Sequence, residues 1–234
     1  MFISIIIPIY NENDILEKNI LNIFNYFQNK SDFEIIVIDD GSTDNSIKTL
    51  NSLKLNNLII LRNNQNMGKG YSIIKGVLES KGDLILQTDA DLSAPIMEFE
   101  KLFIKYKKGF DFVIGSRSKA NSKVNTKQNF FRIILGKFFN ILTYLILNLN
   151  YNDTQCGFKI YNSTKLKNVI KSCKVKKFCI DVEILYLAKL KKYKVMEEGI
   201  IWNDKKNSKV NLIKDPLNMF IDLVKIKFNK YKLD

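Results

Sequence analysis

The sequence contains no histidine. That absence removes hydrolases built on a Ser–His or Cys–His pair, most zinc centres and all imidazole acid–base chemistry. Proton transfer must fall to Asp, Glu, Lys or Tyr. Cysteine is scarce too. Cys156, Cys173 and Cys179 are odd in number and form no CxxC pair, so they read as reduced cytosolic thiols without a disulfide framework. Arginine occurs only at positions 62, 117 and 132, although Lys and Arg together number 37. Lysine is thus the default cation, and a retained arginine points to a geometric task such as bidentate phosphate binding. The plainer alternative is an ordinary surface arginine. No basic segment shows the base-reading pattern of a nucleic-acid binder. The formal charge of +13 is then either simple solvation or attraction to phosphates such as anionic lipid.

No repeat or linker composition divides the chain, and its opening run is expected to be a buried strand and not a signal peptide. "MFISIIIPIYNE" is too short and lacks a basic start. At 234 residues and 46% hydrophobic, the chain is expected to bury one core as a single domain. Through the first half, apolar runs alternate with helical spacing. Strands are predicted at 2–9, 34–41, 57–62 and 83–91, and helices at 12–29, after "STDNS", and at 68–80. Such alternation implies a mostly parallel sheet with helices on both faces, with ligands beyond the carboxyl ends of the strands. Each run does end in polar residues: "PIYNE", "DDGSTD", "RNNQNMGKG" and "TDADLS". The second half holds a strand before "GSR", a Lys/Asn/Ser loop at 118–129, a helix near 179–190, a strand near 195–202 and an amphipathic basic helix at 215–232.

The segment 130–150, "FFRIILGKFFNILTYLILNLN", is long and very apolar but is interrupted by Lys137 and Asn140. Arg132, Gly136, Asn140 and Thr143 recur at helical spacing as a narrow polar stripe. This pattern favours a helix lying in a membrane interface over one that crosses it. The other reading is a core helix of a soluble domain.

Asp89 and Asp91 carry the chemistry. A DxD alone says little, since a chain of this length has about an even chance of one. Its place at the end of a predicted interior strand gives it weight, because an unpaired charge there is costly. Mg²⁺ or Mn²⁺ takes hard oxygen ligands and bridges carboxylates to a diphosphate, which makes that diphosphate a good leaving group. Asp39 and Asp40 can accept from a ribose or a base edge. Gly68 and Gly70 allow close backbone approach, and Lys69 suits a phosphate. Each of these alone is more simply a turn or cap; their joint order along the chain is harder to dismiss.

"SIIIPIYNE", "VIDDGSTDNS", "NMGKG" and "TDADLSAP" resemble the N-terminal half of family 2 glycosyltransferases, which have the GT-A fold and use nucleotide sugars. "IGSR", "DTQCGFKIY", "CIDVEILYLA" and "GIIWND" resemble the dolichyl-phosphate β-glucosyltransferase branch and its polyprenyl-phosphate relatives. The resemblance spans nearly the whole chain. It implies one GT-A domain over 1–234, with a nucleotide-sugar half (1–117) and an acceptor- and membrane-facing half (118–234) that ends in amphipathic interface helices. It sets Pro8, Tyr10 and Glu12 at the base and ribose with Asp39 and Asp40, and Lys69 near the nucleotide. Asp89 and Asp91 hold a Mg²⁺ or Mn²⁺ ion and the diphosphate. Arg117 and Arg132 meet the acceptor phosphate, while Gln155, Gly157 and Lys159 shape the sugar and acceptor pocket. Asp181 or Glu183 stands where a general base would sit. Two features depart from the branch: its N-terminal membrane helix is absent from this sequence, and its late Gly-Ser-Lys element appears as "NSK" at 207–209.

A lipid-phosphate acceptor makes a base dispensable. Its second pKa near 6 leaves the attacking oxygen largely ionised at neutral pH. The expectation is an inverting transfer of glucose from UDP-glucose to a polyprenyl or dolichyl phosphate, by a protein held peripherally on the cytoplasmic leaflet. Transfer from GDP-mannose, or to a saccharide acceptor that needs a true base, stays open. A non-catalytic basic binding protein has no use for "DAD". A nucleotidyltransferase needs a Gly/Arg-rich loop that "PIYNEND" is not.

Overall fold

Strands that are apolar on both faces must be covered on both faces, and this requirement organises the molecule. The computed structural model describes residues 1–126, 130–205 and 214–231, with residues 130–132 and 214 described by backbone alone. The Arg132 side chain and "NSK" therefore lie outside the described residues. The first half runs β1 (Ile3–Ile9), α1 (Asn13–Phe27), β2 (Phe33–Asp39), α2 (Ser46–Ser52), β3 (Leu58–Arg62), α3 (Lys69–Glu79) and β4 (Leu84–Gln87). There follow α4 (Phe99–Lys107), β5 (Phe112–Ser116), β6 (Lys123–Thr126), α5 (Phe130–Leu147), β7 (Lys159–Asn162), α6 (Ser163–Ile170) and α7 (Ile180–Leu190). β8 (Val195–Gly199), β9 (Ile201–Asn203) and α8 (Lys214–Phe228) complete the order.

Seven strands form one sheet in the order β3-β2-β1-β4-β7-β5-β8, and β6 pairs with β9 beside it. All neighbours in the large sheet are parallel except β7, which runs antiparallel to both β4 and β5. Side chains alternate faces along each strand. Ile5 and Ile7 of β1 therefore join Leu16, Ile20, Ile23 and Phe27 of α1 in one layer. Ile6 joins Ile73 and Val77 of α3 with Leu166 of α6 and Ile184 of α7 on the other. Ile5, Ile6 and Ile7 are fully buried, each worth about 1.5–3 kcal/mol relative to exposure.

The register aligns Ile9, Asp39 and Arg62 at one level, while β4 leaves the ladder at Gln87, opposite Ile6. The strand predicted to run to residue 91 thus stops earlier, and Asp89 and Asp91 lie in the turn beyond it. Ser93 shapes that turn by donating its N–H and hydroxyl to Asp91, each at 2.8 Å. Leu92 takes a positive φ of 47° there. The predicted loop at 118–129 contains β6, because Lys123–Thr126 pairs with β9. β7 and α6 have no counterpart among the predicted elements, and α6 is short and starts where Asn162 Oδ1 accepts from the Lys165 N–H at 3.1 Å.

α5 and α8 pack together through Phe139, Leu147, Leu223 and Ile226. Of the polar stripe of α5, Asn140 and Thr143 face the protein, contrary to a helix that turns its polar side to water, while Gly136 is exposed. Asn140 donates to the Asn152 carbonyl, and Thr143 is fully buried. Ile134, Phe138, Ile141 and Leu145 are exposed instead, as are Leu217, Phe220, Ile221, Val224 and Phe228 on α8. Among the described residues, no helix is long and apolar enough to cross a membrane.

Candidate active site

The loops after β1 and β2 interlock. Asn11, at φ 52°, donates its N–H to Ser42 Oγ at 2.8 Å and accepts the Thr43 N–H at 2.8 Å. Glu12 donates its N–H to Ser46 Oγ at 3.1 Å. Asparagine tolerates the left-handed region better than most residues, so it suits this corner. The half-buried Pro8, the partly exposed Tyr10 and Glu12 stand on this wall.

Asp39 and Asp40 face inward more than a ribose-binding role predicts. Asp39 is fully buried; it accepts the Ser42 N–H at 3.1 Å and pairs with Arg62 Nε at 3.2 Å. Asp40 accepts from Asn63 Nδ2 and the Met67 N–H on one oxygen, and from the Gly68 N–H at 2.8 Å on the other. These bonds make Asp40 the clasp of the glycine loop and not an open acceptor. Gly68, at φ 99°, opens α3, a backbone shape that favours glycine.

Lys69, the first residue of α3, reaches across to Asp89 Oδ1 at 2.7 Å. Burial opposes the charge on each, but their mutual attraction wins. The Asp89 carboxyl is held below its ordinary range, and the Lys69 ammonium above its own. Lys159 and Arg117 add to the field on Asp89. Gly157 comes so close that a Cβ there would lie 2.0 Å from Asp89 Oδ2. Gly157→Ala should therefore displace that carboxylate and lower turnover on the order of 10²-fold. Unchanged kcat in this variant would show that the carboxylate can shift without consequence.

Arg117 is gripped by Asp153. Its Nε and Nη2 donate to the two carboxylate oxygens at 2.7 and 2.9 Å, and its guanidinium lies 5.0 Å from the Trp202 ring centroid. Two of its five N–H groups are so used; the other three have no partner among the described residues. Trp202 Nε1, in the ring that Arg117 faces, and Thr154 Oγ1 and Gln155 Nε2, which follow Asp153 in the chain, are buried and also lack protein partners among the described residues. Burial pushes the Cys156 thiol up to about 12, with help from Asp153, so it stays protonated at neutral pH.

Asp181 and Glu183 do not stand free. Asp181 is buried, pairs with the fully buried Lys159 and accepts from Gln87 Nε2 at 3.0 Å. Glu183 accepts the N–H groups of Lys174 and Val175 and the Tyr231 hydroxyl at 2.7 Å. It clasps a loop to the C-terminal segment, so the expectation that it serves as a base gives way to a structural bond network. Asp153 and Trp202 were not singled out from the sequence, although "DTQCG" and the lone tryptophan were visible there.

A divalent cation fits this chemistry. Asp89 and Asp91 offer hard oxygens, and the Asp89 side chain is 30% exposed. Among the described residues no cluster of three acidic or thiol ligands exists. Two carboxylates with the rest from diphosphate and water is the usual arrangement for Mg²⁺ at a nucleotide.

The profile of the family described as Glycosyl transferase family 2 matches residues 4–170. Dolichyl-phosphate beta-glucosyltransferase ALG5D of Trichomonas vaginalis is 33% identical, over 97% of this chain and 73% of its own. The dolichyl-phosphate beta-glucosyltransferase of Saccharomyces cerevisiae is 31% identical, over 97% of this chain and 74% of its own. Among solved structures, glucosyl-3-phosphoglycerate synthase of Mycobacterium tuberculosis superimposes with a TM-score of 0.72 at 14% identity, covering 96% of this chain and 79% of that one. That crystal holds Mn²⁺, UDP-glucose and glycerol 3-phosphate.

Proposed function

The chain belongs to glycosyl transferase family 2, and from that premise we propose that it transfers glucose from UDP-glucose to a polyprenyl or dolichyl phosphate with inversion. The observation that carries the reading is the meeting of Asp89 with Gly157, within the field of Lys69, Lys159 and Arg117. A donor-side carboxylate suited to a metal diphosphate there adjoins an acceptor-side cationic pocket. The dolichyl-phosphate beta-glucosyltransferases it is similar to supply the sugar and the lipid.

The lipid phosphate oxygen forms the new bond to the sugar's anomeric carbon. The bond to UDP breaks, and its electron pair leaves on the diphosphate. With the acceptor's second pKa near 6, no proton need be removed. This agrees with Asp181 being tied to Lys159 and Gln87. The three open N–H groups of Arg117 suit the acceptor phosphate, and Asp153 orients them. Lys69 stands ready to follow the diphosphate. Mg²⁺ or Mn²⁺ held by Asp89 and Asp91 would neutralise charge on the leaving group. The exposed apolar faces of α5 and α8 would lie on the cytoplasmic leaflet, which brings the crevice to the lipid phosphate.

Thermal stabilisation by UDP, GDP, CDP and dTDP, each with and without Mg²⁺ or Mn²⁺, tests the donor half. The expected result is a metal-dependent shift with UDP, about 2.7 kcal/mol at 100 times its dissociation constant. Labelled glucose should then pass from UDP-glucose into an organic-extractable product only when polyprenyl phosphate is added. A shift with GDP alone would move the donor to GDP-mannose. No shift with any nucleotide would end the reading.

A further inference from the structure

Between the loop at 174–177 and α8 lies a cavity of about 430 Å³. Its walls include Lys174, Lys176, Lys177 and Lys225, against a single carboxylate among the described residues, Asp222. Lys174 Nζ donates to the Lys230 carbonyl at 3.0 Å, and Lys176 Nζ stands 5.7 Å from the Tyr71 ring centroid. Among the described residues, the cavity's only ion pair is Lys225 with Asp222, at a loose 3.9 Å. Four lysines on the wall of one concavity repel one another, and an anion relieves that repulsion.

The wall also includes Ile221, and this residue belongs to the exposed stripe Leu217, Phe220, Ile221, Val224 and Phe228. The positions follow helical spacing, so the stripe is one continuous apolar face. The basic cavity adjoins it at Ile221. A free phosphate would use the lysines and leave the stripe bare; an amphiphile uses both. None of Arg117, Gln155, Gly157 and Lys159 lines this cavity, so it is separate from the acceptor pocket.

We propose that this cavity seats the phosphate headgroup of an anionic membrane phospholipid, whose acyl region meets the α8 stripe. The assignment rests on the membrane-surface reading above and adds the lipid class and the residues that recognise it. The loop it would grip is close to the chemistry: the Lys176 carbonyl accepts the Tyr71 N–H at 2.9 Å, and the Lys176 and Lys177 carbonyls lie against Gly68 and Gly70. One loop thus has the headgroup on one side and the glycine loop on the other.

The test is co-sedimentation of the full chain with phosphatidylcholine vesicles, and with vesicles that also contain phosphatidylglycerol. Three proteins are compared: the parent, Lys176→Gln/Lys177→Gln/Lys225→Gln, and a charge-matched control, Lys18→Gln/Lys54→Gln/Lys81→Gln, on exposed positions elsewhere. Metal-dependent stabilisation by UDP reports folding in each. Phosphatidylglycerol should strengthen parent binding. The cavity variant should lose that gain by about 10²-fold, from roughly 5-fold per lysine, and keep its weaker binding to phosphatidylcholine. The control should lose far less. An equal loss in the control, or an undiminished gain in the cavity variant, overturns the site while membrane docking stands. Binding of the parent to neither vesicle overturns both. Stabilisation of the parent by inorganic phosphate, with no gain from phosphatidylglycerol, makes the ligand a free anion and refutes the lipid. If the triple variant fails to fold, Lys177→Glu carries the same comparison.

Discussion

Asp89→Ala should lower turnover on the order of 10³-fold, the scale seen when a group that stabilises developing charge is removed. It should also abolish the metal dependence of UDP stabilisation. The fold should survive, because Asp89 stands in a turn and its side chain is 30% exposed. Its loss frees Lys69, which is itself partly exposed and can turn to solvent. Asp91 is a poorer probe. It holds Ser93 through two hydrogen bonds, so its removal mixes loss of a metal ligand with loss of a turn. Turnover within tenfold of the parent, with metal dependence intact, would reduce "DAD" to a structural turn.

The second large effect is on stability. Lys159→Met leaves Asp181 buried beside Gln87 without its cation. Breaking a buried pair from one side costs about 3–5 kcal/mol, so the melting temperature should drop by roughly 10 °C for a chain of this size. Removing both charges in Lys159→Met/Asp181→Leu should restore most of the loss, because neither partner is then stranded. A double variant no more stable than the single would refute this account. Asp181→Asn separates stability from chemistry. A true general base would lose all turnover with stability unchanged. The expected result is a marked loss of stability, with turnover per folded molecule reduced less than in Asp89→Ala.

The first half of the fold was legible because long apolar runs, capped helices and polar strand ends repeat there in a fixed order. Direction was less legible. β7 is four residues long, and "KIYN" was not predicted as a strand at all; it carries nothing that marks an antiparallel insertion. Partners were the hardest to read. Sequence pattern puts Asp40 and Glu183 near the right loops, but whether a carboxylate faces a ligand or a backbone N–H depends on contacts far along the chain. Asp40 reaches only to Gly68, whereas Glu183 meets Tyr231 across 48 positions. α5 teaches the same lesson in reverse. Its polar residues were visible as a stripe, but only the 148–152 segment packed beneath it decides which way that stripe turns.

The strand order has a consequence for synthesis. β4 pairs with β1 on one side and with β7 on the other, and β7 leaves the ribosome long after β4. A nascent chain that has completed β1 to β4 therefore carries a bare, fully apolar edge, Leu84-Ile85-Leu86. Unpaired apolar edges recruit other strands. Until Lys159–Asn162 arrives to close it, that edge leaves the growing chain open to mispairing, and shielding it is a task for a chaperone.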